Sequence, residues 1–180
     1  MKIRSFGIVM CGVLIAGSRT SAGQEPPPIS AVTGTIALDG TVQKVYGGLN
    51  TIIVKTEDGV EHLFHLEDRT EVHGGDALRG IEQGSTVAVH YTRQGDKEVA
   101  HEVDRLGGDG LPSTEGVVTK VDRTTQTISI RLADGSEQKL RLTERAAAES
   151  GSAASDLVKV VVYFSDESGR RVVHYFRRVS

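Results

Sequence analysis

Residues 40–69 read GTVQKVYGGLNTIIVKTEDGVEHLFHLEDR, residues 116–145 read GVVTKVDRTTQTISIRLADGSEQKLRLTER, and the two align without a gap at a shift of 76. Gly40 meets Gly116, Val42 meets Val118, Lys44 meets Lys120 and Ile52 meets Ile128. Asp58-Gly59 meets Asp134-Gly135, Leu66 meets Leu142 and Arg69 meets Arg145. Roughly a third of about 30 positions are identical, which is the signature of an internal repeat. Beyond this stretch the second segment has a shorter loop and the shift becomes 73, placing Val87, Val89 and Tyr91 over Val160, Val162 and Phe164, and His101 over His174.

Each Asp-Gly pair separates two short apolar runs, TIIVK from VEHLFHL and TISIRL from EQKLRL. This predicts hairpins closed by two-residue turns with both turn residues at positive φ. A longer hairpin follows in each segment, turning near Gly95 and near Gly169. With a first strand near Val42 to Tyr46, each segment has five strands. Ala77, Leu78 and Ile81 before Gly84 predict a short helical turn, whereas Ala146 to Ser155 is small-residue sequence that reads as loose. Five short strands close most simply into a partly open barrel of the oligonucleotide/oligosaccharide-binding (OB) type, which also hides strand edges. The expected fold is therefore all-β: two tandem five-stranded OB-like barrels at residues 33–106 and 116–180. GGDGLPSTEG, from Gly107 to Gly116, supplies a linker at 107–115. A barrel this small buries only about 60% of its unfolded surface, so the two should pack against each other.

Ahead of the barrels, Lys2 and Arg4 precede an apolar run from Phe6 to Gly17, and Thr20 and Ala22 suit a cleavage site. That pattern is a secretory signal peptide at 1–22, followed by an extended, proline-rich leader at 23–32. About 12 apolar residues at 1.5 Å each fall short of a hydrocarbon layer of about 30 Å, so no transmembrane segment is expected after cleavage. The expected location is exported, periplasmic or extracellular. Cleavage removes Cys11, the only cysteine, and with it any disulfide, thiolate nucleophile or Cys-ligated zinc. The count of 21 bases and 24 acids becomes 18 and 24, and a mildly acidic exported chain is not expected to bind nucleic acid.

The string G-x-V-x-x-V, a T-I strand, a D-G turn, L-x-x-I-x-x-G-x-x-V-x-V and a closing V-A-x-x-V strand resembles a widespread bacterial family of exported small β-barrel domains of unknown function. The resemblance covers Gly40 to Leu106 closely and Gly116 to Val179 less closely, because Leu157 stands where Gly84 is expected and Val173 where Ala100 is expected. It implies a fold without an activity, so function has to come from a site.

Histidine is uneven, with His62, His65, His73, His90 and His101 in the first segment and His174 alone in the second. Imidazole ligates Cu, Zn and Ni. A two- or four-residue loop in the longer hairpin sets His90 opposite His101 as a metal pair. A three-residue loop instead pairs Val89 with His101 and groups Val87, Val89, Tyr91, Val99 and Val103 on one face, with His101 half buried among them. His62 and His65, three apart, point to opposite faces of a strand. No Gly-x-Ser-x-Gly elbow, His-Glu-x-x-His helix, P-loop or calcium loop occurs, and the carboxylates stand singly, so neither an enzyme nor a cofactor is expected.

Charge divides the chain: Thr33 to Gly110 has 7 bases and 14 acids, Ser113 to Ser180 has 11 bases and 9 acids, and opposite charge is one way to hold the segments together. Arg170, Arg171, Arg177 and Arg178 flank Tyr175 and Phe176. They form either an interaction face for an envelope protein, a glycan or an anionic surface, or a solvated strand whose arginines block aggregation. The sequence thus predicts a non-enzymatic exported binding or interaction module, with a periplasmic metal binder using the first-segment histidines as the alternative.

Overall fold

The structure is a computed structural model and describes residues 35–75, 80–153 and 157–179, the side chains of 150–153 excepted. The signal peptide, the leader and the turn expected at Ala77 and Leu78 lie outside the described residues. Among the described residues, ten strands form two closed rings. The first is built from β1 (Ile36–Tyr46), β2 (Thr51–Lys55), β3 (Glu61–His73), β4 (Thr86–Gln94) and β5 (Lys97–Arg105), in the order β1-β2-β3-β5-β4. The second uses β6 (Ser113–Asp122), β7 (Thr127–Arg131), β8 (Glu137–Leu142), β9 (Lys159–Glu167) and β10 (Arg170–Arg178), in the equivalent order β6-β7-β8-β10-β9. All pairs are antiparallel except β3 with β5 and β8 with β10. No helix among the described residues is long and apolar enough to cross a membrane.

Alternation of apolar and polar residues fills both interiors at matching positions. Val42, Ile52, Val54, Phe64, Leu66, Val87, Val89, Tyr91, Ala100 and Val103 form the first core. Val118, Ile128, Ile130, Leu140, Leu142, Val160, Val162, Phe164, Val173 and Phe176, at the shifts found in the sequence, form the second. β1 serves two neighbours, pairing with β4 through its first half and β2 through its second. A Cβ at Gly40 would collide with the Lys55 carbonyl oxygen, and one at Gly116 would lie 3.0 Å from that of Arg131, so both first strands carry glycine where the next strand approaches closely.

Three sequence expectations are corrected. The segment expected to be loose from Ala146 to Ser155 is helical as far as it is described: α1 spans Glu144–Ala153 and buries Ala146 and Ala147 against the second core. Alanine favours the helix, and the Thr143 hydroxyl caps it by accepting from Ala146 N at 3.1 Å. The Asp-Gly turns are not two-residue turns. Thr56 and Val60 close a three-residue loop in which Gly59 alone has positive φ, and Leu132 and Ser136 do the same around Gly135. The longer hairpins do turn on two residues, Gly95-Asp96 and Ser168-Gly169. Lastly, residues 107–115 are not featureless linker. β6 begins at Ser113, Leu106 bridges Leu111, and Leu111 N donates to Arg105 O at 2.7 Å.

Candidate metal centre at the barrel seam

The rings meet through matching outer faces. Ala37, Ala88, Leu106 and Leu111 from the first side pack with Val161, Tyr163 and Tyr175 from the second as a separate apolar cluster. Beside it the seam turns polar, and one irregularity repeated in both rings explains why.

The two-residue turn at Gly95-Asp96 would set His90 opposite His101. Between Tyr91↔Ala100 and His90↔Glu102, however, the register slips by one, leaving His101 as the extra residue of a β-bulge. His90 therefore faces Glu102. The same slip between Val173 and Tyr175 makes His174 the bulged residue of β10. Each bulged imidazole bonds a hydroxyl on the neighbouring strand, His101 Nε2 to Thr92 at 2.8 Å and His174 Nε2 to Ser165 at 2.9 Å. Because of the bulge, Ala100 and Val103 both enter the core, while Glu102 and Asp104, two apart on β5, point outward together beneath β10. Asp104 pairs in register with His73 at the end of β3.

Four side chains converge there. His73 Nδ1 lies 3.2 Å from Glu102 Oε1 and 3.1 Å from Asp104 Oδ1, and His174 Nδ1 lies 3.2 Å and 3.6 Å from the same two oxygens. One donor atom from each residue falls within 4.8 Å of the others. Glu102, Asp104 and His174 are no more than 2% exposed, whereas a third of the His73 side chain faces solvent and gives the group its access. The remaining carboxylate oxygens are also engaged. Arg145, from α1, donates to Glu102 Oε2 and to Glu71 Oε2, both at 2.6 Å. His90 Nε2 lies 3.1 Å from Asp104 Oδ2, and its Nδ1 lies 2.8 Å from the Glu149 carboxylate.

Electrostatics follow from this packing. Hydrogen bonds to Asp104 and Glu102 raise the His73 pKa to about 10, against the effect of burial. At His90 burial opposes the charged ring most strongly, yet bonds to Asp104 and Glu149 carry its pKa up to about 10. Burial works against the Glu102 carboxylate as well, but His174, His73, His90 and Arg145 hold its pKa far below the usual range. His101 moves the other way, lowered by burial and by Arg145.

The structure thus separates His90 from His101: the first supports Asp104, and the second bonds Thr92 apart from the group. The basic, aromatic face divides as well. Tyr175 is only 8% exposed and donates to Asp39 Oδ1 at 2.8 Å across the seam, so it cannot present a surface to a partner. Arg177 lies 3.9 Å from Asp39 Oδ2. Arg178 is exposed near the same edge, while Arg170 and Arg171 stand exposed at the far end of β10. Sequence reasoning missed the grouping of His73, Glu102, Asp104 and His174, and the roles of Arg145 and Glu149. The repeated histidine at 101 and 174 and the Glu-x-Asp spacing on one strand were its only traces.

The chain matches no protein-family model and no curated protein sequence. Among solved structures it is similar to CusF from Escherichia coli. The apo form of residues 6–88 is 14% identical over 50% of this chain and 100% of that one, with a TM-score of 0.34. Silver(I)-bound CusF residues 10–88 is 15% identical over 41% and 92%, with the same TM-score of 0.34. A deletion mutant of the single-stranded DNA-binding protein from Thermus aquaticus is 15% identical over 81% and 94%, with a TM-score of 0.25.

Proposed function

We propose that the chain is an exported, non-enzymatic binding protein made of a duplicated barrel, and that it holds one divalent transition-metal ion of the zinc class at the seam. The quartet His73, Glu102, Asp104 and His174 supports this reading. Its four nitrogen–oxygen separations run from 3.1 to 3.6 Å. These are four of the six edges of a tetrahedron of donor atoms, no two of the four groups' donors lie more than 4.8 Å apart, and a small inward shift of the side chains would bring each to the roughly 2.0–2.2 Å that zinc makes to imidazole nitrogen and carboxylate oxygen. Two carboxylates balance a divalent charge, and the ion takes the place of the proton that Asp104 and Glu102 hold on His73. Arg145, His90 and Ser165 hold the outer atoms of three of the four groups, as a metal's surrounding shell does.

Donor chemistry narrows the ion. The chain has no cysteine or methionine beyond residue 11, so soft monovalent copper or silver finds no sulfur here, and nitrogen with oxygen suits zinc or its borderline neighbours. With four side chains filling four positions, no coordination site is left for a substrate, which favours holding over turnover. Export rests on the signal-peptide pattern at 1–22.

The test is calorimetric titration of the chelator-treated chain with zinc. One ion per chain is expected, with His73→Gln and His174→Gln each weakening binding by at least about tenfold. A silent titration, or variants that bind as the parent does, would leave the quartet as an ionic seam without a metal.

A further inference from the structure

The second ring also carries a basic groove. Between β8 and the start of β10 runs an open groove of about 680 Å³, lined by Lys139, Arg141, Arg170 and Arg171 with Thr125, Thr127 and Gln138. Lys139 and Arg141 are two apart on β8, so both point outward about 7 Å from each other. Parallel pairing of Val172 with Arg141 brings Arg170 and Arg171 alongside. Arg171 is held in place, stacked 4.7 Å over the Phe164 ring and donating to Gln138 Oε1 at 3.3 Å. Among the described residues none of the four cations has a carboxylate within 4.0 Å. Carboxylates do stand around the groove: Asp166 opposite Arg171 and Glu167 opposite Arg170 across the hairpin, and Glu137 two residues before Lys139 on the same face of β8. Glu167 accepts from Ser165 Oγ at 3.0 Å, on the side of His174.

The first ring carries the same groove with its charge cancelled. There the matching positions are Leu63, His65, Lys97 and Glu98, and Glu98 pairs with His62 at 3.0 Å and with Arg93 at 3.3 Å. Four neighbouring cations repel one another and persist at little cost only when solvent or a ligand supplies the counter-charge. A basic groove on one ring and a neutral one on the other is therefore a difference in what each could bind.

We propose that the groove between β8 and β10 binds an acidic polysaccharide, a chain of sugars carrying successive carboxylates. Arginine forks match carboxylates in a bidentate way, and the hydroxyls of Thr125 and Thr127 and the Gln138 amide suit sugar hydroxyls. Two other polyanions fit less well. Single-stranded nucleic acid needs aromatic platforms for its bases, and the lining contains none. An anionic membrane is a flat surface that favours protruding apolar side chains, whereas Leu140 on the groove floor is buried. This site is independent of the metal reading.

The test uses the full chain with polygalacturonate, neutral dextran, phosphatidylglycerol vesicles and single-stranded DNA as probes, at low and physiological salt. Polygalacturonate is expected to bind, to weaken as salt rises, and to lose about tenfold in affinity in Arg141→Glu/Arg171→Glu. The milder Lys139→Gln should lose less and melt as the parent does, and both variants should be folded at the assay temperature and keep the parent's response to zinc. Binding of polygalacturonate no tighter than dextran, an unchanged affinity in the charge-reversed chain, or tighter binding of vesicles or DNA through the same residues would each overturn the proposal.

Discussion

Glu102 shows how one residue can stabilise a seam and be costly to lose. Burial alone would keep a carboxylate neutral, yet this one is surrounded by His73, His174 and Arg145. Removing one member of such a group strands the others without a counter-charge, so Glu102→Ala should destabilise the chain by about 3–5 kcal/mol, read from urea unfolding. Glu102→Gln, which keeps the shape and one acceptor, should cost less. A loss under 1 kcal/mol for the alanine variant would mean that the seam opens to water. Beyond the repeated histidine and the Glu-x-Asp spacing, little of this was visible along the sequence. His73 and Glu102 stand far apart in it, and a β-bulge at His101 decides which side chains meet while leaving no compositional mark. The strands themselves were legible because burial of alternate residues is a local pattern, repeated from Val42 to Val54 and again from Val118 to Ile130.

At the scale of elements, the loops that join strands carry the differences between the rings. Gly84 and Leu157 occupy matching positions before β4 and β9, with φ of 91° and 69°. Each donates its backbone N–H at 2.8 Å to the matching valine of the first strand, Val42 or Val118. The second ring therefore keeps a left-handed conformation that suits glycine but has leucine in it. Leu157 is 74% exposed, so its side chain gains little from packing. Leu157→Gly should stabilise the chain by about 1 kcal/mol, the cost of a left-handed residue bearing a Cβ, less the entropy glycine adds to the unfolded chain. An unchanged or lower midpoint of unfolding would show that leucine earns its place by a contact beyond this chain. α1 gives the complementary case. Sequence reading took its small residues for slack, because alanine gives no apolar stripe to follow, yet the Thr143 cap and the burial of Ala146 and Ala147 fix the helix. Thr143→Ala should cost about 1 kcal/mol, checked by thermal melting followed by circular dichroism.

Across the whole molecule, the proposed ion takes three ligands from the first ring, His73, Glu102 and Asp104, and one from the second, His174. Binding and docking are then linked, since an ion that needs both rings must favour the state in which they touch, and docking must favour the ion equally. The seam does not depend on the ion alone. The apolar cluster around Leu106, Leu111, Tyr163 and Tyr175 and the Tyr175–Asp39 bond remain when the ion is removed. Loss of metal should therefore loosen the seam without separating the rings. At a free zinc concentration about a hundredfold above the dissociation constant, linkage adds about 2.7 kcal/mol to the stability of the chain. For a folded unit of this size that corresponds to roughly 5–10 °C in the melting midpoint. Hydrogen exchange locates the effect. Zinc should slow exchange in β3 and β5 and also in β10 of the parent chain, but the slowing in β10 should vanish in His174→Gln while any residual binding protects only β3 and β5. Protection of β10 that survives this substitution would show that the ion, wherever it binds, does not bridge the rings, and the coupling of metal to docking would fall even if the metal itself were held.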